Sequence, residues 1–159
     1  MARTHFAQLL DRFTTAVEAG DGAAFAEVFT EDGQYHDVFY GTFSGRAAIA
    51  DMLENYFWRD AEAFKWEMLD PLDDGAIGYA RWRFSYAAKT PEASGKRIFM
   101  EGVGFFRLKD GLLASYEDYA RIGEVLVQLN LPAAKSLRVL EKMAAAQNAK
   151  PEAVAHLRG

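Results

Sequence analysis

Two groups of side chains in this sequence could do acid–base or charge chemistry, and the first is a carboxyl beside a phenol. The alternation in residues 34–39 predicts a strand. On that strand Tyr35 and Asp37 share one face, and these are side chains that can exchange protons or donate hydrogen bonds. His36 lies on the opposite face, so we expect it at a surface or interface and not in a dyad with Asp37.

The second group is a pair of arginines on a later predicted strand. Alternation puts Tyr79, Arg81 and Arg83 on one face of this strand. The other face carries Ala80, Trp82, Phe84 and Tyr86. If the arginines point inward they need carboxylate partners, because burying an unpaired charge costs several kcal/mol. In the alternative they line an outer or dimer surface and keep their charges in water.

Helices must position these strands. Residues 5–19 carry apolar side chains at spacings of three and four, which predicts an amphipathic helix that Gly20 ends. A short second helix follows, and then the strand at 34–39. The spacing of apolar residues between Ile49 and Phe57 predicts a third helix, with Ser44 as its N-cap.

From residue 64 the apolar period changes from helical spacing to two, and three successive antiparallel connections form a meander. This order predicts an α+β fold, a cone-shaped, mixed but mainly antiparallel sheet wrapped around the N-terminal helices. We expect one domain over residues 1–132 and a helical tail over 133–159 that is not a separate domain.

Composition excludes several classes of function. The chain has 159 residues, half of them apolar and 14% aromatic, which is typical of one folded domain. Its net charge is -5 and it has no run of Lys or Arg, so we expect neither nucleic acid nor membrane as a partner. No segment resembles a spanning helix or a secretory signal, which predicts a cytoplasmic protein.

The few metal-binding residue types point away from a cofactor. The sequence has no cysteine, which excludes disulfides and Cys-ligated metal centres. Its three histidines, His5, His36 and His156, are scattered along the chain. We therefore expect no metal site and no cofactor.

Two segments resemble the SnoaL-like branch of the nuclear transport factor 2-like superfamily. FAEVFTEDGQYHDVFYGTFSGRAAIADML, residues 25–53, is similar to the family's helix, acidic turn, strand and helix. FFRLKDGLLASYEDYARIG, residues 105–123, is similar to its final hairpin. The resemblance covers roughly residues 5–130. It implies the cone fold but leaves the function open, because this superfamily includes several kinds of enzyme as well as binding proteins.

The resemblance to ketosteroid isomerases places their general base on Asp37. Their oxyanion-hole tyrosine falls on Phe13, and the acid that assists it falls near Gly104. Both hydrogen-bond donors are therefore missing, and we do not expect steroid isomerisation by that mechanism.

A second template is the limonene epoxide hydrolases, whose catalytic residues fall on Tyr35, Asp37, Arg81 and Asp118. The remaining catalytic Asp of that group falls on Arg83, which reverses a charge and argues against epoxide hydrolysis. The segment IGEVLVQLNLP is similar to the tail of SnoaL-type polyketide cyclases.

The resemblance also implies that the arginine face is the concave one, with Asp37 and Asp118 as partners of Arg81 and Arg83. A carboxylate near arginine has a lowered pKa and is a weaker base with a fixed position. Alternatively, one arginine is left for an anionic substrate. The ligand would then combine an apolar body with a carboxylate or an enolate-like oxygen.

The candidate cavity walls are apolar residues and mid-strand glycines, which commonly mark a bend or a close approach to the backbone. They are Phe13, Val17, Phe57, Trp66, Met68, Tyr79, Met100, Gly102 and Gly104.

Three classes of function stay open. The first is a cofactor-free enzyme that binds a small hydrophobic metabolite and transfers protons on it, as an isomerase, cyclase or hydratase. Asp37 would be the base, Tyr35 a hydrogen-bond donor, Arg81 and Arg83 charge stabilisers, and Asp118 their orienter or a second acid–base group. The second is a non-catalytic small-molecule-binding or accessory protein. The third is an interaction protein that forms a homodimer through an outer sheet face containing Trp82, Phe84 and Tyr86.

Overall fold

The computed structural model describes residues 4–158. Helix α1 (His5–Ala19) begins where the Thr4 hydroxyl accepts a hydrogen bond from the Ala7 amide. It ends at Gly20, whose φ of 68° is left-handed. The short helix α2 (Gly22–Ala26) follows. Helix α1 lies where the sequence predicts it. Helix α2 is shorter than predicted, because the apolar residues Phe25, Val28 and Phe29 favour a helix that runs through all three, whereas α2 ends at Ala26 and Phe29 is already in a strand.

A six-stranded sheet packs against these helices. Its strands are β1 (Phe29–Asp37), β2 (Gly41–Ser44), β3 (Ala61–Asp73), β4 (Ile77–Ala88), β5 (Arg97–Lys109) and β6 (Leu112–Ala120). Their order in the sheet is β2-β1-β6-β5-β4-β3; β1 runs parallel to β6 and the other neighbouring pairs are antiparallel. The predicted α+β class, with its mixed sheet and meander, is confirmed.

The third predicted helix is divided into three pieces: α3 (Arg46–Met52), a π-helical turn (Leu53–Phe57) and α4 (Trp58–Asp60). The prediction of Ser44 as its N-cap is wrong. Ser44 is the last residue of β2, where its hydroxyl accepts a hydrogen bond from Gln34, and the cap position is taken by Gly45.

The core lies between α1 and the concave side of the sheet. Phe13 is fully buried at its centre. The Phe13 ring centroid lies 4.9 Å from that of Phe25, 5.1 Å from that of Trp66 and 5.2 Å from that of Tyr116. Because such pairs add about 0.5–1.5 kcal/mol each beyond burial, α1 is held against three different elements at once.

Irregular backbone in β3 accompanies the curvature of the sheet. The pairing of β3 with β4 shifts register in two places, between Glu62 and Lys65 and between Leu69 and Leu72. A non-glycine residue with positive φ lies in each interval, Ala63 in the first and Asp70 in the second, both at 51°. Bulges of this kind bend a strand and increase its twist.

The predicted face assignment of β4 is wrong. Trp82 is 2% exposed and faces the core, whereas Tyr79 is 51% exposed and Arg81 and Arg83 also lie in solvent. Alternation correctly separates the two sets but cannot say which set points inward. Burying the aromatic set is favourable, whereas burying two guanidinium groups would cost several kcal/mol each without matched partners.

Three helices follow the sheet: α5 (Ile122–Gln128), α6 (Ala133–Asn148) and α7 (Pro151–Leu157). The Gln128 side chain joins α5 to β5, because it accepts a hydrogen bond from the Phe99 amide and donates one to the Phe99 carbonyl. Within residues 4–158, none of the helices has the length and apolar character required to cross a membrane. The division into a domain at 1–132 and a tail at 133–159 stays a prediction.

Candidate functional site

A cavity of about 250 Å³ opens between the concave side of the sheet, the β1–β2 turn and the helices around α4. That volume is sufficient for a small organic ligand. Nine of its lining residues are aromatic: Tyr35, Phe39, Tyr40, Phe57, Phe64, Trp66, Trp82, Phe84 and Tyr86. Its acidic lining residues are Asp37, Asp60 and Asp118, and in the described part of the chain no Lys, Arg or His lines it.

Two neighbouring strands carry the same Tyr-x-Asp pattern into this site. On β1 it is Tyr35 and Asp37, and on the parallel β6 it is Tyr116 and Asp118. Tyr35 lies directly opposite Tyr116 in the register, with ring centroids 4.9 Å apart. Because side chains at i and i+2 share a face, each aspartate lies on the same side of its strand as its tyrosine. Tyr35, Asp37 and Asp118 line the cavity, whereas Tyr116 is fully buried next to Tyr35.

Asp37 is held by the turn that follows β1. Its Oδ1 accepts hydrogen bonds from the amides of Phe39 and Tyr40, both at 2.8 Å. Burial raises the pKa of Asp37 from 3.8 to about 6, and these two bonds oppose the shift. Asp37 is therefore a fixed carboxyl group that changes charge just below neutral pH.

Asp118 also prefers the neutral form. Burial raises its pKa well above the ordinary range, and the charges of Asp37 and Glu117 raise it further. The Tyr116 hydroxyl donates a hydrogen bond to Asp118 Oδ1, which lowers that pKa in part. Because two neighbouring carboxylates do not readily ionise together, the proximity of Asp37 further favours the protonated form of Asp118.

The third carboxyl group, Asp60, has a basic partner. Arg59 Nε lies 2.7 Å from Asp60 Oδ1, and this hydrogen bond is the main cause of the lowered pKa of Asp60. The Tyr40 hydroxyl donates to Asp60 Oδ2 at 2.6 Å. Burial, followed by the bond to Asp60, raises the pKa of Tyr40. Asp60 thus stays ionised and already compensated.

Several buried polar atoms around the cavity lack a partner. Tyr35 Oη, Trp66 Nε1, Trp82 Nε1 and Thr90 Oγ1 make no hydrogen bond to any described residue, and all four residues line the cavity. Leaving such an atom unsatisfied costs about 1–3 kcal/mol. A bound molecule or water that supplied partners would recover part of this cost.

The structure brings together only part of the predicted catalytic set. Tyr35, Asp37 and Asp118 line one cavity. Arg81 and Arg83 are on the outer face of the sheet, so the predicted charge network between them and the two aspartates does not exist. Instead, the exposed Arg81 pairs with Asp70, Nη2 to Oδ2, at 2.6 Å.

The predicted cavity walls also divide into groups. Phe57, Trp66 and Met100 line the cavity. Phe13 and Val17 are fully buried core residues outside its lining, and Met68 packs against the core. Tyr79 is not a wall residue at all, because it faces solvent.

The two predicted glycines contribute space for other side chains. A Cβ added at Gly102 would lie 2.7 Å from the Trp82 ring, and one at Gly104 would lie 2.8 Å from the rings of Phe106 and Tyr116. Their role is therefore to admit aromatic rings that shape the site.

Sequence reasoning missed Tyr116, Tyr86, Tyr40 and Asp60. The repeated Tyr-x-Asp pattern could have identified Tyr116, since alternation puts it on the face of Asp118. Tyr86 shares a face of β4 with Trp82 and Phe84, so it becomes a site residue once that face is placed inward. Tyr40 lies in the β1–β2 turn and Asp60 ends α4, 20 residues later, so no sequence pattern joins them.

Among the residues described, no group of three or more His, Cys, Asp or Glu side chains is arranged to hold a metal ion.

The SnoaL-like domain family matches residues 10–116 of this chain. A comparison with curated proteins gives no match. Among solved structures, TsrD from Streptomyces laurentii is 21% identical with a TM-score of 0.70, over 82% of this chain and 99% of that one. A candidate polyketide cyclase from Xanthomonas campestris is 22% identical with a TM-score of 0.65, over 79% of this chain and 96% of that one.

An epoxide hydrolase from M. tuberculosis, described as like limonene epoxide hydrolase, is 18% identical with a TM-score of 0.64, over 86% of this chain and 94% of that one. These likenesses establish the fold alone. The chain belongs to the SnoaL-like family and has the nuclear transport factor 2-like fold, as the resemblance implied.

Proposed function

We propose that this protein binds a small, mainly apolar metabolite in the aromatic cavity and transfers protons on it without a cofactor, as an isomerase, cyclase or hydratase. Asp37 is the general base and Asp118 the general acid. The observation that supports this assignment is that the neighbouring parallel strands β1 and β6, each with a Tyr-x-Asp pattern, bring Asp37 and Asp118 into one cavity wall.

Their pKa values suit these roles. Asp37, whose pKa is raised to about 6, is ionised at neutral pH yet is a stronger base than an ordinary carboxylate. Asp118, whose pKa burial raises well above the ordinary range, carries a proton that it can donate. Two titratable groups whose environments separate their pKa values are a common basis for acid–base catalysis.

The tyrosines position this pair. Tyr116 donates to Asp118 and so leaves the second carboxyl oxygen of Asp118 available to the ligand. The Tyr35 hydroxyl has no partner in the described chain and is the nearest candidate for a hydrogen bond to the ligand. Arg81 and Arg83 have no part in the proposal, because they lie on the far side of the sheet.

Turnover of a panel of unsaturated ketones, epoxides and polyketide-like esters tests the proposal. For any substrate found, Asp37→Asn is expected to lower kcat by about 100- to 10,000-fold, because Asn keeps the two amide hydrogen bonds but cannot accept a proton. In the wild type, kcat/KM is expected to rise with pH as Asp37 ionises near pH 6.

Asp70→Asn is the matched control, since Asp70 is exposed on the outer face and pairs only with Arg81 there. Full turnover by Asp37→Asn would overturn the role of Asp37. Tight binding of panel members with no turnover would instead favour the second candidate, a non-catalytic binding protein with the same cavity.

Self-association is the second part of the proposal, through the outer face of the sheet. That face exposes Tyr79, Val103 and Tyr119. Val103 lies between Arg81 and Tyr119 in the register, and Tyr79 is two residues from Arg81 along β4. It also carries both signs of charge, since Arg83 lies between Glu67 and Glu101 in the register. A two-fold contact between such faces buries apolar area and can match the charges.

The face first predicted for a dimer cannot serve. Trp82, Phe84 and Tyr86 line the cavity and are turned away from the outer surface. The proposed dimer therefore uses the opposite side of the same strand.

A further inference from the structure

We infer that the cavity selects ligands that carry a positively charged amine or quaternary ammonium group, an inference that rests on the proposed ligand-binding function and names its ligand class. The first argument is the charge of the lining. Its formally charged side chains are all aspartates, and only Asp60 has a basic partner. A positive ligand group would supply the basic partner that Asp37 and Asp118 lack in the described chain, in addition to the hydrogen bonds that they already accept.

The second argument is the aromatic wall. Trp66 and Phe84 have ring centroids 4.7 Å apart, and Phe64 stacks on Phe84 at 5.6 Å. Tyr86 extends the same cluster at 5.6 Å from Phe84. Aromatic faces attract cations, and an ammonium group held among them gains most when it is also desolvated. Aromatic rings around a carboxylate are a setting in which a cation is stabilised and an anion is not.

The third argument is the position of the arginines. An anionic ligand needs a guanidinium or ammonium group in the cavity, but Arg81 and Arg83 lie on the outer face. The predicted carboxylate- or enolate-bearing ligand therefore has no cationic partner and would meet Asp37 instead. Two like charges in a poorly solvated site repel each other strongly.

The unpartnered donors define the rest of the ligand. Trp66 and Trp82 are 5% and 2% exposed, and their indole N–H groups can only donate. The Tyr35 hydroxyl is also unpartnered, in a residue that is fully buried. We therefore expect an uncharged oxygen acceptor in the ligand, such as a hydroxyl or carbonyl, in addition to the positive group.

Binding of a permanent cation is expected to depend on pH through the acidic groups of the site. The groups that face Asp37 and Asp118 are Tyr35, Tyr40, Asp60 with Arg59, Tyr86, Tyr116 and Glu117. Asp37 is the one whose pKa, about 6, lies in the accessible range. A cation prefers the ionised carboxylate, so affinity should rise with pH and binding should release protons.

Three probes of nearly the same shape test the inference: choline, its uncharged analogue 3,3-dimethylbutan-1-ol, and the anion 3,3-dimethylbutanoate. Their affinities are measured by isothermal titration calorimetry between about pH 5 and pH 7.5. Choline has a fixed charge, so any pH dependence comes from the protein. We expect choline to bind at least about tenfold more tightly than the alcohol at the higher pH, with the anion weakest.

Variants separate the charge effect from the shape of the cavity. Asp37→Asn should lower the affinity for choline about tenfold, leave that for the alcohol within about twofold, and remove most of the pH dependence. Asp118→Asn should retain the Tyr116 hydrogen bond and tests whether the second carboxyl ionises on binding. Asp70→Asn on the outer face should behave as the wild type.

Equal or tighter binding of the alcohol or the anion would overturn the inference while leaving the ligand-binding function in place. Failure of all three probes to bind would overturn the inference and also remove support for the proposed function. Choline affinity that is unchanged in both Asp37→Asn and Asp118→Asn would show that the cation is held elsewhere, and this too would overturn it.

Discussion

At the scale of single residues, the site contains chemically identical groups with different surroundings. Asp37 accepts hydrogen bonds from two backbone amides. Asp118 accepts one from a tyrosine hydroxyl and lies near another carboxyl group. Burial raises the pKa of both, but the amides limit the shift of Asp37 to about 6. The division between base and acid therefore follows from hydrogen-bond donors that the β1–β2 turn supplies.

The raised pKa of Asp37 predicts a stability cost that appears as pH rises. The folded state holds a proton on Asp37 up to about pH 6, whereas the unfolded chain loses it near 3.8. Stability from this group is present below about pH 4 and is lost as pH rises through about 6. The full difference between the folded and unfolded pKa values of Asp37 corresponds to about 3 kcal/mol of unfolding free energy. We expect a loss of about 1–3 kcal/mol, because the Asp37 side chain is half-buried and partly screened by solvent.

Asp37→Asn should remove that cost. Urea unfolding is expected to show the variant about 1–3 kcal/mol more stable than the wild type near pH 7.5, with little difference near pH 4. Asp70→Asn should show no comparable gain, because an exposed ion pair contributes little. A gain of equal size at both pH values would mean that the charge of Asp37 is not its cause.

Sequence could suggest which residues carry the chemistry, but not all of their partners. Tyr35 and Asp37 were found because strand alternation is strictly local. The pairing of Tyr40 with Asp60 depends on where α4 ends relative to the β1–β2 turn. No rule that acts over neighbouring residues contains that information.

At the scale of elements, β5 contributes to the site through Gly104, because the absence of a side chain there leaves room for aromatic rings. Gly104 lies beneath the rings of Phe106 and Tyr116, and β5 pairs with both β4 and β6. The glycines were predicted to mark a bend or space for a ligand. The space at Gly104 is instead occupied by the ring of Tyr116, which positions Asp118.

Gly104→Ala is therefore expected to overpack the wall of the site. The added Cβ would lie 2.8 Å from both rings, and such overpacking costs about 1–3 kcal/mol of unfolding free energy. Gly123→Ala in α5 is the matched control, because a Cβ there meets nothing within 4 Å. It should be neutral or stabilising by at most about 1 kcal/mol. Equal stability of the two variants would contradict the packing argument.

Element types were predictable because each has its own period. Helix α1 and the β3–β6 meander follow directly from spacings of three to four and of two. The division of the third helix into α3, a π-helical turn and α4 did not follow, since its apolar spacing suits a continuous helix.

At the scale of the whole molecule, the two faces of the sheet serve the two proposed functions, ligand binding on the concave face and self-association on the outer face. The concave face provides the aromatic cavity, and the outer face exposes Tyr79, Val103 and Tyr119 beside charged residues. Exposed apolar patches of this kind commonly mark contact surfaces.

Tyr119→Lys should weaken self-association, because it puts a charge in the middle of the proposed contact. Sedimentation equilibrium should give a dimer for the wild type and a dissociation constant at least about tenfold higher for the variant. Leu137→Lys, which changes an exposed leucine on α6, is the control and should remain dimeric. A wild-type protein that stays monomeric at about 100 μM would contradict the proposal.

Sequence by itself determined the class of fold, helix α1, the β3–β6 meander and the two sets of side chains on β4, because periodicity and turn residues act over a few neighbours. It did not reveal β2 or the end of α2 at Ala26. Only the tertiary structure decided which set faces inward. That choice is made by the whole molecule, which gains more from burying Trp82 and Phe84 against Trp66 of β3 than it could from burying two guanidinium groups. It therefore removed the arginines from the site and left the cavity aromatic and acidic.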